Sequence, residues 1–165
     1  MLTVKRKRLE LTKGSIGLVS DTHGLVRPEA LAALKGSEVI IHAGDIGKPE
    51  VLQLLRKIAP VIAIRGNNDR DAWAQKIPDL LNLYINRVKI QVIHNVNELA
   101  VNPAVDGFRA VVSGHSHKPG MTTQDGVLFV NPGSAGPRRF KLPVTVGKLL
   151  LVRESVIAKI VNLDV

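Results

Sequence analysis

The chain has 165 residues, 45% of them hydrophobic and 22% charged, with a formal net charge of +9 and no cysteine. That length suits one domain with a substantial buried core, and the composition excludes a disordered chain. No apolar run approaches the ~20 residues of a membrane span, and the basic N-terminus lacks the apolar segment of a secretory signal, so no membrane partner is expected and the cytoplasm is. Without thiolates there is no disulfide, and any metal must be held by oxygen and nitrogen. The positive surplus points to an anionic partner. Part of it is local: Lys5, Arg6, Lys7, Arg8 and Lys13 meet only Glu10 within residues 1–14, which leaves that segment at +4. Aromatic residues are 3% of the chain, so platforms for stacking single-stranded bases are few. A small phosphoester is therefore favoured over nucleic acid, which stays open as a partner.

Residues 1–14 alternate loosely and are expected as a basic leader, either an edge strand or a flexible arm, ahead of a single domain over 15–165. The first strand is 16–20. A helix follows over 27–35, with Pro28 in its first turn and Gly36 to end it. Residues 38–42 form a second apolar strand, closing at Ala43-Gly44-Asp45. Pro49 opens a helix through Lys57, and the strand 60–65 runs into Gly66-Asn67-Asn68-Asp69. Three strand–loop–helix units in succession predict a parallel, right-handed α/β beginning.

Beyond residue 70 the pattern turns to β. A short helix is expected around Trp73 within 70–75, then a hairpin of 80–85 and 88–93 that stops at His94. Residues 95–108 read as loop with a short helix after Pro103. The strand 109–113 ends in Gly114-His115-Ser116-His117, and Asp125-Gly126 joins 120–124 to 127–131 as a hairpin. After the loop NPGSAGPRR (131–139), strands 144–153 and 156–163 close the chain. Two sheets packed face to face with helices outside are the expected result.

Asp21 and His23 stand just past the first strand. Carboxylate oxygen favours hard divalent cations, and neutral imidazole suits first-row transition metals. Taken singly, Asp21 reads as a helix cap and His23 as a loop histidine. Asp45, Asn67, His94 and His115, however, follow other strands at successive intervals of 24, 22, 27 and 21 residues. Each interval is about one strand–crossover–strand unit, so the loops can gather at one sheet edge, outside the carboxyl ends where ligands bind in open α/β folds. His115 and His117, two apart in a segment read as extended, point the same way. His42 lies inside its strand and reads as a core or supporting group rather than a ligand. Asp69 reads as a brace for the Asn67 loop, and Arg65, Arg138 and Arg139 are candidates to meet a substrate phosphate.

The ordered set D-x-H (Asp21, His23), GD (Asp45), GN-x-D (Asn67, Asp69), H (His94) and GH-x-H (His115, His117) resembles the calcineurin-like metallophosphoesterase superfamily. In size and in its GN-x-D form the chain looks most like the small stand-alone phosphodiesterases of bacteria and archaea. The resemblance implies an α/β fold, a four-layer α/β/β/α sandwich of two mixed β-sheets flanked by helices. It also implies a catalytic centre of two divalent metal ions. Asp21, His23, Asp45 and His117 would hold one, and Asp45, Asn67, His94 and His115 the other, with Asp45 shared. Two such ions about 3.5–4 Å apart bind a common hydroxide and clamp a phosphoryl oxygen for in-line attack. Members are commonly manganese-activated, so Mn²⁺ is expected, while Fe, Zn, Ni and Co fit the same ligand types.

Two positions depart from the family pattern. The residue after GN is a histidine able to protonate the leaving group in many relatives, and often Cys in the small phosphodiesterases. Here it is Asn68, which has no proton to give, and this implies a preference for good leaving groups such as aryl phosphodiesters. The glycine usual after the fourth-motif histidine is Asn95. The expected activity is metal-dependent hydrolysis of phosphoesters, diesters before monoesters. Two rivals are a non-catalytic metal-binding scaffold, like the phosphoesterase-like subunit of the retromer coat, and a nuclease. Every ligand position is filled, which speaks for catalysis, and 165 residues leave little room for added DNA-gripping segments. A homo-oligomer is compatible with the sequence.

Overall fold

The computed structural model describes the whole chain, Met1–Val165. In chain order its elements are β1 (Val4–Leu9), β2 (Ser15–Val19), α1 (Pro28–Leu34), β3 (Val39–His42), α2 (Pro49–Arg56), β4 (Val61–Ala63), β5 (Leu80–Ile85), β6 (Val88–Ile93), β7 (Ala110–Val112), β8 (Gly120–Gln124), β9 (Val127–Asn131), β10 (Thr145–Val152) and β11 (Ser155–Asn162). Single turns of 3-10 helix occupy Ala72–Ala74 and Val96–Glu98. Five strands form one mixed sheet in the order β11-β10-β2-β3-β4, and six form the other in the order β1-β5-β6-β7-β9-β8.

Strands β2 and β3 pair in parallel from Ile16↔Val39 to Val19↔His42, and their continuous apolar runs are explained by burial on both faces. Their inner side chains (Ile16, Leu18, Ile41) meet Leu83, Ile90 and Val112 of the opposite sheet in the largest core cluster. On the outer face Ile40 and Val146 pack under Leu34 of α1 and Leu55 of α2. Both helices begin with proline, whose fixed φ suits the first turn. Close helix packing also requires Gly17, since a Cβ there would lie 2.7 Å from Ser37 Oγ and 2.8 Å from Leu34 Cδ2. Removal of this aliphatic surface from water, at about 25 cal/mol per Å², is the main source of stability.

The two α-helices thus cover the five-stranded sheet. The outer face of the six-stranded sheet is covered instead by segment 94–108, where Val96, Leu99 and Ala104 lie over Ile93, Val111 and Val127. The expected sandwich is present with its fourth layer reduced to loop and one 3-10 turn. No helix is long and apolar enough to cross a membrane.

Several boundaries differ from the sequence reading. Strand β4 stops at Ala63 rather than Arg65: the Ile64 N–H still donates to the His42 carbonyl, but the Arg65 N–H turns to that of Pro78. The expected helix over 70–75 is a single 3-10 turn. After Pro103 there are turns rather than a helix, and the 3-10 turn of this segment starts earlier, capped by the Asn95 side chain accepting from the Asn97 N–H. Of the two forms expected for residues 1–14, the edge strand is the one present: residues 4–9, as β1, pair in parallel with β5 from Val4↔Leu80 to Leu9↔Ile85.

One ion pair fastens β1 to the rest. Asp79 Oδ1 and Oδ2 accept from Arg65 Nε (2.8 Å) and Nη2 (3.3 Å), while Oδ2 also accepts from the Thr3 N–H (2.8 Å) and hydroxyl (3.0 Å). The Arg65 hydrogen bond is the main reason the Asp79 pKa falls from 3.8 to about 2. A carboxyl whose pKa is lowered by folding adds stability above its ordinary value and loses it as pH falls through the lowered one. Asp79→Asn is expected to reduce stability by about 1.5 kcal/mol at neutral pH. The gap between the two proteins should close as pH drops from about 4 to about 2, as read from urea unfolding midpoints.

Candidate metal centre

The carboxyl ends of β2, β3, β4, β6 and β7 all open on one edge, and the loops that follow them converge there. Asp21 lies deepest. Its Oδ2 accepts from the Ser20 hydroxyl (2.6 Å) and the His115 N–H (3.0 Å). Its Oδ1 faces His117 Nε2 at 3.3 Å, His94 Nε2 at 3.8 Å and His23 Nε2 at 3.9 Å. Asp45 Oδ2 stands 3.4 Å from His94 Nε2 and 3.8 Å from His23 Nε2. The Nε2 atoms of His23 and His117 are 3.4 Å apart. Beside this group, Asn67 Oδ1 lies 3.3 Å from His115 Nδ1, and the His94 and His115 rings meet edge to face with centroids 5.2 Å apart. All seven side chains singled out in the sequence are thus neighbours.

Two sets close tightly enough for a cation to bridge them, Asp21, His23 and His117 in one and Asp21, Asp45 and His94 in the other. Buried Asp21 Oδ1 and His94 Nε2 have no hydrogen-bond partner, and both face this centre. Burying lone pairs unpaired is costly, and a set of carboxylate, amide and imidazole donors fits a divalent cation. His94 is oriented for this by its other ring nitrogen, whose N–H donates to the Ala43 carbonyl at 2.7 Å, leaving the Nε2 lone pair aimed inward.

The backbone is strained where the donors sit. Five of the nine non-glycine residues with left-handed φ belong to the set: Asp21 (54°), His23 (46°), Asp45 (55°), His115 (70°) and His117 (62°). Each such residue costs on the order of 1 kcal/mol and persists only where the surroundings fix it. His115 and His117 therefore reach the centre from two tight bends, not from the extended segment the sequence suggested. The motif glycines are needed for room. A Cβ on Gly114 would fall 2.0 Å from Ser20 Oγ and 2.6 Å from Asp21 Oδ2, and one on Gly66 would fall 2.1 Å from Asp45 Oδ1.

A ring of buried groups holds these bends. His42 is a core group, as its place within β3 suggested: its Nε2–H donates to Thr22 Oγ1 (3.0 Å), which donates on to the Ile46 carbonyl (2.8 Å), and its Nδ1 accepts from the Gly44 N–H (3.1 Å). Burial first, then the neighbouring His94, push its pKa down to about 3, so it stays neutral. Asp69 accepts from the N–H groups of Ile46, Gly47 and Gly66 and so ties the Asp45 and Asn67 loops together. Asn68 donates to both Asp45 oxygens, from its backbone and its amide, each at 3.0 Å. Burial alone would raise the Asp45 pKa, but the nearby His94 imidazole, 3.4 Å away, and the Asn68 N–H bring it to about 2. Burial likewise disfavours charged His94, yet Asp45 and Asp21 outweigh it and its pKa lies above the ordinary value. At His117 burial prevails, helped by the nearby Arg139 charge, and the pKa is lowered.

Four bracing residues carried no signal of their own in the sequence. Besides donating to Asp21, Ser20 packs against Gly114; Thr22 links two loops; Ser134 Oγ donates to the Asp21 carbonyl (3.0 Å); and the Asn131 amide donates to the Gly114 carbonyl (2.9 Å) and Ser116 Oγ (3.1 Å). The turn-rich NPGS stretch was the available clue. Arg138 is exposed, and its guanidinium donates to the carbonyls of Leu142 and Val165. Arg65 is held by Asp79, but both line a cavity of about 180 Å³ with Asn67, His94, Asn95 and His115.

Residues 15–153 match the family model of the calcineurin-like phosphoesterase superfamily domain. A probable metallophosphoesterase of Methanocaldococcus jannaschii is 32% identical over 165 aligned residues, covering 90% of this chain and 81% of its own. Among solved structures, an archaeal phosphodiesterase superposes with a TM-score of 0.74 at 25% identity, covering 89% of this chain and 99% of its own. A zinc-complexed Vps29 of Entamoeba histolytica shares the fold, with a TM-score of 0.62 at 20% identity over 90% of this chain and 98% of its own. The chain belongs to the calcineurin-like phosphoesterase superfamily, a family of divalent-metal phosphoesterases.

The glycine contacts make a sharp test. Gly66→Ala must move the Asp45 carboxylate, so Mn²⁺ affinity measured by titration calorimetry is expected to fall at least about tenfold. Substitution at Gly120, where an added Cβ meets nothing within 4 Å and the backbone is not left-handed, should leave it unchanged.

Proposed function

We propose that this protein is a phosphodiesterase that works with two divalent metal ions. Asp21, His23, Asp45 and His117 would hold one ion, and Asp45, Asn67, His94 and His115 the other. The observation that carries this reading is the pair of buried, unpartnered donors, Asp21 Oδ1 and His94 Nε2, at the centre of seven converging side chains. Asp45 as the shared ligand is supported by its Oδ2, which lies 3.8 Å from His23 Nε2 and 3.4 Å from His94 Nε2. Mn²⁺ is the proposed metal; Fe, Zn, Ni and Co suit the same donors. Bound there, divalent ions polarise a phosphoryl oxygen and supply hydroxide at neutral pH.

The chain's own groups set the rest. His94 is fixed in one tautomer by Ala43, and Asp45 is kept ionised by Asn68, so the donors are ready without rearrangement. The substrate phosphate would enter by the cavity at Asn67, His94 and His115, near the Arg65 guanidinium. Arg139, whose charge is felt at His117, would add to the attraction for the anion. Preference for diesters is supported by the archaeal phosphodiesterase among the structural relatives. No group at position 68 can protonate a departing alkoxide, since its amide is engaged with Asp45.

Protein stripped with chelator should release no p-nitrophenolate from bis(p-nitrophenyl) phosphate, and Mn²⁺ should restore release. Asp45→Ala is expected to lower the restored rate about a hundredfold or more. Tight uptake of metal with no turnover of any phosphoester would favour the scaffold instead. Across a series of aryl and alkyl diesters, the rate should fall steeply as leaving-group pKa rises. Asn68→His should flatten that slope, gaining at least about tenfold on the poorest leaving groups; an unaltered slope would refute the missing-acid account.

A further inference from the structure

Strand β1 reads Val-Lys-Arg-Lys-Arg-Leu and forms one edge of the six-stranded sheet. Together β1, β5 and β6 carry five cationic side chains and no acidic one: Arg6, Arg8 and Lys89 share the face of Tyr84, while Lys5 and Lys7 alternate to the other face. The pairing register sets Arg8 opposite Tyr84, and Tyr84 opposite Lys89. Three cations therefore crowd the single tyrosine of the chain. The guanidinium carbons of Arg6 and Arg8 lie 6.0 and 5.3 Å from its ring centroid, and Lys89 Nζ lies 5.6 Å from it. Lys89 Nζ also donates to the Asp106 carbonyl and sits 4.8 Å from the Phe108 centroid.

Attraction to an aromatic face is worth about 0.5–1 kcal/mol at an exposed site. Like charges on neighbouring strands oppose it, and no carboxylate of these strands answers them. Charged edge strands do guard against edge-to-edge aggregation. At the other edge of this sheet, however, β8 is exposed along its whole length and has no charge at all. The concentration of charge is particular to β1.

Topology gives this strip a direction. Strand β6 ends at the metal centre with His94 following it, β5 runs antiparallel to β6, and β1 runs parallel to β5, so β1 begins at the centre. Leu2, two residues before β1, lines the same cavity as Asn67, His94 and His115. From that cavity the strand leads away for about 20 Å.

We propose that the face of β1, with Tyr84 and Lys89, binds the backbone of a single-stranded oligonucleotide, one phosphodiester of which reaches the cavity beside His94 and His115. The proposal deepens the phosphodiesterase reading by naming its substrate class, and rests on that reading for hydrolysis though not for binding. Arginine and lysine answer phosphates, and the tyrosine ring gives a base a surface to stack on. An anionic membrane is the other polyanion such a strip could meet, but within β1 only Val4 is an exposed apolar side chain, too little to anchor in lipid.

The test uses the full chain in chelator and a fluorescent oligo-dT of about 12 nucleotides, with anisotropy read across a salt series. Affinity should fall linearly in log–log form with salt. Arg6→Gln/Arg8→Gln should bind at least about tenfold more weakly, with a slope shallower by about 1.4 for two lost contacts. Tyr84→Leu should weaken binding severalfold and leave the slope unchanged. Circular dichroism melts check folding; were the arginine pair not to fold, the wild-type slope and Tyr84→Leu decide. No binding, a slope near zero, or equal affinity in a folded arginine double variant overturns the proposal. Binding to phosphatidylserine vesicles without binding to oligo-dT replaces it with a membrane surface. Because no metal is present, oligonucleotide binding by a protein that hydrolyses no diester would uphold the strip and sink the hydrolase reading, and turnover without binding would do the reverse.

Discussion

The buried carboxylate of Asp21 is the interaction on which the rest of the centre depends. One oxygen is satisfied by Ser20 and the His115 N–H, while the other has only the lone pairs and edges of three imidazoles before it. An oxygen left unpaired so deep is unfavourable unless a donor or a cation answers it. Every neighbouring device makes sense as a means of keeping it there. Gly114 leaves the space that the carboxylate and Ser20 occupy, Ser134 fixes its carbonyl, and the Gly44 carbonyl accepts from its N–H at 2.9 Å.

Rigidity for this arrangement comes from below. The inward side chains of β2, β3, β6 and β7 belong to one aliphatic cluster, so the strand ends that carry Asp21, Asp45, His94 and His115 cannot shift independently. Strain then collects above the core, in the left-handed residues of the loops, and is held by polar braces rather than apolar packing. His42 shows the division clearly. It is as buried as any leucine of the core, yet its ring joins Thr22 to Gly44 and so transmits the position of β3 to two loops at once.

Much of this was legible in the sequence because hydrophobic runs and their abrupt ends are local signals. Strands β5, β6, β8 and β9 fall on their expected residues, and the seven proposed ligands follow the strand ends that the runs define. Non-local facts were not legible. The pairing of β1 joins residues more than 70 apart and relies on backbone hydrogen bonds, with side chains mostly in water, so its loose alternation left an edge strand and a flexible arm both open and named no partner strand. The failed helix after Pro103 and the unforeseen turn at Val96–Glu98 have a common cause: this segment folds to cover Ile93, Val111 and Val127, a demand that local propensity cannot express. Likewise the glycines of the GD, GN and GH motifs read as turn formers. Gly66 and Gly114 have ordinary φ values and are required instead by what a Cβ would strike.

Asn68 shows what the centre has exchanged for its stability. A histidine there could deliver a proton, but its charge and its hydrogen bonding would change with pH. The amide donates to Asp45 Oδ2 at every pH, and with the Asn68 N–H on Oδ1 it gives the carboxylate two permanent donors. The low pKa of Asp45 follows in part from this, so the group proposed to join two cations remains an anion even in acid. Neutral His42, held far below its ordinary pKa, adds no competing charge behind it. The surroundings of Asp45 are thus built to fix a negative charge rather than to move a proton. In such a site the burden of bond breaking passes to electrostatic stabilisation of the phosphoryl group and to the leaving group itself.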